Sequence, residues 1–269
     1  MANHEIYNSF DVGRVLDRTF RAVKNNFVSF FLASILIVGV PLSLISVAPF
    51  FLDSQAVIDG GVITDETSAF VVIASIVGVV ISALAGGILQ GSLIYGAIAD
   101  FNNQRAQLRE CLLIGLKYIF PLLGISILMG LGIFLGMILL IIPGLILWMG
   151  WAVSVPVLIV ENRGVTGSMS RSWDLTRGFK WWILLLFLIL TIIGAVIGAV
   201  LGFLSVPLSA ALAGAGEGLR TALIVNALAS SVAQAISAMI TASGVAAAYY
   251  EIRLVKEGVG ADAIASVFD

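Results

Sequence analysis

The side chains able to do chemistry fall into two groups, and neither is a catalytic set. The first is a row of uncharged polar residues inside an apolar run: Asn226, Ser230, Gln234, Ser237 and Thr241, at spacings of four, four, three and four. That spacing places them on one helix face, which Gly244 and Ala248 extend. Polar and small residues along one face let membrane helices approach closely and hydrogen-bond. The same row would also line a path for a solute or lipid. Gln90, in a separate apolar run, is the expected partner. The second group is charged: Glu161, Arg163, Arg171, Asp174, Arg177, Lys180, Glu251, Arg253 and Lys256. Its chemistry is the holding of anionic headgroups, which basic residues at an inner membrane surface attract by about 1 kcal/mol each. Topological anchoring and surface ion pairs need the same charges. Glu161 and Arg171 are spaced to pair across the turn at Gly164, and Trp173 stands among the cations.

Little else reads as reactive. No acid or base lies deep in an apolar run, so proton or ion coupling has no evident carrier. The sequence shows no Ser–His–Asp set, no metal-ligand cluster and no zinc-protease motif, so no enzyme and no cofactor are expected. His4 is the only histidine; Cys111, the only cysteine, reads as a small apolar residue on a surface helix. The spacings Gly130, Gly132, Gly136 and Gly194, Gly198, Gly202 read as close-packing surfaces, because no Lys and Ser/Thr follow as a phosphate loop requires.

The elements that must position these residues are membrane helices. Of the 269 residues 60% are hydrophobic and 11% charged, against about 25% charged in a soluble domain. Long uncharged runs cover 27–52, 67–99, 118–160, 181–206 and 221–250. A helical crossing needs about 20 apolar residues, so 118–160 is two crossings, divided near Pro143-Gly144. That makes six. Barrel strands would alternate apolar and polar residues, and Ile183–Leu190 does not. The first run is too long for the roughly 7–15 apolar residues of a signal peptide, so it reads as an anchor. All of the 14 Lys and Arg residues except Arg220 fall in the N-terminal stretch, the 100–117 and 161–180 gaps and the tail. The alternate gap 53–66 holds only acids (Asp53, Asp59, Asp65, Glu66). Positive loops stay cytoplasmic. The expectation is therefore a single all-α, multi-pass membrane domain over 1–269, with both termini cytoplasmic.

Each cytoplasmic stretch before an odd-numbered crossing is amphipathic. In 10–24, Phe10, Val12, Val15, Leu16, Phe20 and Val23 form a stripe beside Arg14, Asp17, Arg18, Arg21 and Lys24, with Asp11 or Ser9 as cap. In 106–118, Leu108, Leu112, Ile114, Leu116 and Tyr118 lie beside Arg105, Arg109, Glu110 and Lys117. In 165–180, Val165, Met169, Trp173 and Leu175 lie beside Arg171, Asp174, Arg177 and Lys180, and Trp181-Trp182 mark the headgroup level. The unit of one interfacial helix and two crossings thus occurs three times, at about 9–99, 105–160 and 164–250. Thr19-Phe20 and Ser172-Trp173 are comparable pairs, and Gly115-Leu116 corresponds more loosely. A shared need for basic and aromatic anchors would give the same pattern without duplication. Pro41 and Pro49 in the first crossing and Pro156 in the fourth mark bends, which serve packing or line a path.

Several stretches, in order, carry a family resemblance: Phe120 to Gly124, Ile142 to Leu147, Pro156 to Glu161, Ser170-Arg171-Ser172-Trp173-Asp174-Leu175-Thr176-Arg177-Gly178 with Trp181, and Tyr249 to Arg253. They resemble bacterial membrane proteins grouped with the membrane domain of glycerophosphoryl diester phosphodiesterase and the related YciC-like family. The resemblance implies a helical inner-membrane domain. It does not imply phosphodiesterase activity, which belongs to a separate barrel domain that this chain has no room for. The expected function is a non-enzymatic membrane module whose basic face, Glu161, Arg171, Trp173, Arg177, Lys180 and Arg253, binds lipid headgroups or a protein partner. The alternative is a small-solute or lipid transporter using the row Asn226–Thr241. Membrane lipids and a protein partner or second copy are the expected company; nucleic acid is not.

Overall fold

A computed structural model describes residues 9–41, 43, 65–104, 107–212 and 218–258. His4, Pro49, Asp53, Asp59 and Arg105 lie outside the described residues, as do the side chains of Asp65, Glu66 and Arg220. The described secondary structure is helical throughout. α1 is Val12–Asn25, α2 is Phe27–Ser34 continued by a wider π turn at Ile35–Gly39, and α3 is Asp65–Phe101. α4 is Leu108–Lys117, α5 is Ile119–Leu139, α6 is Ile141–Gly150 and α7 is Ser154–Glu161. α8 is Gly164–Thr176, α9 is Lys180–Leu212 and α10 is Gly218–Glu257.

Five stretches are long and apolar enough to cross a membrane: Ile76–Phe101, Ile119–Leu139, Ile141–Glu161, Lys180–Leu212 and Ile224–Glu257. A sixth forms if α1 and α2, bent by 81° about Asn26, count as one span. Exposed apolar side chains crowd these segments, among them Phe134, Leu139, Val196 and Phe203. Water tolerates no apolar surface of that extent; lipid does.

The turn dividing the long run 118–160 sits earlier than Pro143-Gly144. Leu140 is extended (φ −168°, ψ 146°) and α6 begins at Ile141. Pro143 is then the third helical residue, where a backbone N–H has no intrahelical acceptor to lose. Pro121 in α5 and Pro156 in α7 hold the same third position. The fourth crossing is consequently longer than the 145–160 segment the sequence suggested, and it is broken at Trp151–Val153.

The chain divides into two compact units. The first comprises Met1–Phe30, Gly87–Ile192 and Met239–Asp269; the second comprises Phe31–Gly86 and Ile193–Ala238. α1, α4 and α8 all belong to the first unit, whose core includes Leu93, Ile98, Leu122, Met149, Leu158, Leu175, Leu186 and Tyr249.

Each of those three helices buries a face that includes the spacing i, i+4, i+7. The positions are Val15, Thr19 and Ala22; Cys111, Gly115 and, just past α4, Tyr118; Ser168, Ser172 and Leu175, beside which α8 also buries Met169 and Thr176. Wider apolar stripes were expected. In α1 the structure leaves Phe20 exposed and buries Thr19 instead.

Candidate functional site

Two of the cationic helices, α1 and α8, are seated by carboxylates. In α10, Glu251 is fully buried. It accepts a hydrogen bond from Arg14 Nε at 2.8 Å and an ion pair from Arg18. The Arg18 guanidinium also lies 4.7 Å from the centre of the Tyr250 ring. A buried carboxylate is tolerated only when paired and hydrogen-bonded, and α1 supplies both arginines one helical turn apart. Asp11 caps α1, accepting from the N–H groups of Gly13 at 2.7 Å and Arg14 at 3.2 Å. Two of the cations expected to face headgroups therefore turn inward.

Glu161, at the end of α7, is the second node. It accepts from Arg171 Nε at 3.1 Å, Arg163 Nε at 2.8 Å and the Tyr249 hydroxyl at 3.1 Å. Arg253 donates to that hydroxyl at 3.2 Å and to Glu257 at 2.9 Å, and Glu257 pairs in turn with Arg171. Burial opposes charge on Arg171, but Glu257 and Glu161 outweigh it and hold its pKa above the ordinary arginine value. Glu161, Arg171 and Arg253 are thus brought together as the sequence suggested, including the Glu161–Arg171 pair. Tyr249 and Glu257, which join them, were missed. The i, i+4 spacing of Arg253 and Glu257 was the available signal.

The stretch 170–178 has a separate task. The break at 151–153 ends the intrahelical hydrogen bonding of α6. The Gly150 carbonyl instead accepts from Ser172 Oγ at 2.9 Å and Thr176 Oγ1 at 3.1 Å. The Val153 N–H donates to Ser172 Oγ at 3.3 Å. In a span, unpaired backbone groups cost several kcal/mol each, so these hydroxyls repair the interruption. The Trp173 ring lies against Gly150 so closely that a Cβ there would collide with it. Lys180 Nζ stacks 3.4 Å from the centre of the same ring.

The remaining cations are less engaged. Arg177 is exposed, and its carbonyl, with that of Asp174, accepts from Lys256 Nζ at 2.8 and 2.7 Å. The side chains of Lys24, Arg109 and Arg177 have no hydrogen-bond or ion-pair partner among the described residues. Asp100, at the end of α3, accepts from the side-chain amides of Asn25 at 3.2 Å and Asn26 at 3.1 Å. Cys111 is buried, and burial with Glu110 nearby pushes its thiol up to about 11.

The row of uncharged polar residues is divided in use. Asn226 accepts from Ser205 Oγ at 3.0 Å, and Ser237 Oγ would lie 3.3 Å from a Cβ on Gly194. Ser230 and Gln234 are exposed, while Gln90 and Thr241 are half-buried. Ser231, outside the row, is buried and donates to the Gly39 carbonyl at 3.0 Å.

Long apolar helices with charge gathered at their ends define a multi-pass helical membrane protein. Residues 117–256 match the family described as the membrane domain of glycerophosphoryl diester phosphodiesterase, and the chain belongs to that family. The match is to the membrane domain of that family and not to its catalytic domain. No curated protein and no solved structure matches the chain.

Proposed function

We propose that the protein is a non-enzymatic module of the bacterial inner membrane, inserted with both termini cytoplasmic, that binds anionic lipid headgroups through the basic face of its first unit. The observation that carries this reading is a recurring juxtaposition. Exposed apolar side chains stand beside unpaired or loosely held cations on each amphipathic segment: Phe20 and Phe27 by Lys24, Leu113 and Leu116 by Arg109 and Lys117, Trp181 and Trp182 by Arg177 and Lys180. Helices with that arrangement lie at the interface, apolar groups among acyl chains and cations at phosphates. Asn226 bound to Ser205 and Ser237 seated at Gly194 are helix-packing contacts, which favours this module over a solute or lipid transporter.

The test is the lipid that stays with the protein. Purified in mild detergent from a mixed phosphatidylcholine–phosphatidylglycerol membrane, it should retain phosphatidylglycerol in excess of the membrane ratio. A retained fraction equal to the bulk ratio would overturn the reading, and a co-purifying protein with no lipid enrichment would favour a protein partner. For orientation, a cysteine replacing Gly178 should react with an impermeant reagent only from the cytoplasmic side.

A further inference from the structure

We propose that the turn between α8 and α9 is a binding site for one anionic phospholipid, its phosphate held by Arg177 and Lys180 and its chains lying along α9. This rests on the headgroup-binding reading above and narrows it to one place. Three cations meet at this turn. Arg177 is exposed with its guanidinium unpaired among the described residues, Lys180 stacks on Trp173, and Lys256 is tied to the carbonyls of Asp174 and Arg177. Asp174 and Glu257 offset the repulsion at Lys256, but Arg177 and Lys180 repel each other with no carboxylate between them, and an anion placed there removes that repulsion.

A free phosphate would satisfy the cations alone, but the surface beyond them fits acyl chains. Trp181 is 75% exposed, and Leu185, Leu188 and Ile192 are exposed after it. Positions 181, 185, 188 and 192 follow the i, i+4, i+7, i+11 spacing of a single helix stripe. The stripe therefore runs away from the cations along one side of α9. Indole rings favour the headgroup level, where one end is apolar and the other wet.

Full-length protein in phosphatidylcholine nanodiscs, titrated with phosphatidylglycerol and read by native mass spectrometry, tests this. The variant R177Q/K180Q should lose about 30-fold in affinity, which is about 1 kcal/mol per cation at 1.4 kcal/mol per tenfold. The control R21Q, at an exposed cation paired with Asp17, should retain this site. Unchanged binding by R177Q/K180Q, with wild type still preferring phosphatidylglycerol, overturns the site alone. Wild type without any such preference overturns the broader reading as well. Glycerol phosphate competing as well as the whole lipid would overturn the acyl-chain part of the proposal.

We also infer, from the docking contacts, that α1, α4 and α8 are copies of one element. Arg18-Thr19, Ile114-Gly115 and Arg171-Ser172 occupy the same place, with Thr19, Gly115 and Ser172 each at the centre of the buried face. Arg18 pairs with Glu251 near the end of α10, and Arg171 with Glu161 at the end of α7. Gly115 packs on Ile88 and Ser92 of α3, and Asp100 lies near the end of that helix. Only the middle copy lacks the arginine. Ile114→Arg should therefore pair with Asp100 and raise the melting temperature, an effect that Asp100→Asn abolishes. Equal effects in both backgrounds overturn the equivalence. If Ile114→Arg does not fold, the exchanges Thr19→Ser and Ser172→Thr should both be tolerated, and loss of folding in either overturns it.

Discussion

Replacing Glu251 and replacing its two arginines should cost different amounts. Glu251→Gln removes a buried charge and strands two cations. Their side chains are 35% exposed for Arg14 and 20% for Arg18, so both can turn toward water. Breaking a buried pair costs about 3–5 kcal/mol when the remaining charge stays buried. With the arginines able to rehydrate, we expect about 1–2 kcal/mol for Glu251→Gln, near the value of a charged hydrogen bond. R14Q/R18Q leaves the fully buried Glu251 carboxylate without its cations, and the whole 3–5 kcal/mol penalty applies. Adding Glu251→Gln to that double variant removes the stranded charge and should recover about 2 kcal/mol. Thermal unfolding followed by tryptophan fluorescence in detergent would show the order. At roughly 2–4 °C per kcal/mol for a chain of this size, the double variant should melt several degrees below both Glu251→Gln and the triple variant. Hydrogen exchange in α1 should rise in the same order. A double variant as stable as Glu251→Gln, or a triple variant showing no recovery, would refute the claim that α1 is held by a buried charge.

Four other outcomes follow from contacts elsewhere. Gly115→Ala should destabilise by about 1–3 kcal/mol through overpacking, because its Cβ would collide with the Ile88 carbonyl. Gly130→Ala, with open space around it, should be neutral or stabilising by up to about 1 kcal/mol; paired melting curves distinguish the two. Gly150→Ala should expel the Trp173 ring from its place, detectable as a shift in tryptophan emission, while Trp173→Phe in the same background restores part of the lost stability. Cys111, buried with its thiol pushed up to about 11, should resist maleimide at pH 7. Its thiolate fraction grows about tenfold per pH unit toward that value, so labelling should accelerate steadily above pH 8, and rapid labelling at pH 7 would contradict its burial.

The helical class and five of the six expected crossings were legible because a bilayer imposes one strong rule: about 20 apolar residues per crossing. The finer boundaries were not. Pro143-Gly144 looked like the turn because proline usually ends a helix, yet it sits inside the first turn of α6, where a missing N–H costs nothing. The break before Pro156 was hidden because its repair is not local. Ser172 and Thr176 lie more than twenty residues from the Gly150 carbonyl they satisfy. Among the charges, Glu161 with Arg171 could be paired from a short separation. Arg14 and Arg18 with Glu251 could not, since more than 230 residues divide them.

These contacts also divide the stretch that carried the family resemblance into residues the fold uses and residues it leaves over. Ser172 and Thr176 seal a backbone break, Trp173 covers Gly150, and Arg171 binds Glu161 and Glu257. Changing any of them should disturb packing before it disturbs binding. Arg177 and the exposed face of Trp181 have no such duty among the described residues. A charge that only fixed topology would work as well anywhere in the loop. Arg177 instead sits within one turn of Lys180 and bonded through its carbonyl to Lys256, at the head of an exposed apolar stripe. The carboxylates of Asp174 and Glu257 act on Lys256, whereas the exposed Arg177 guanidinium has no partner among the described residues, and at the end of a membrane helix the most abundant anions are the headgroups themselves.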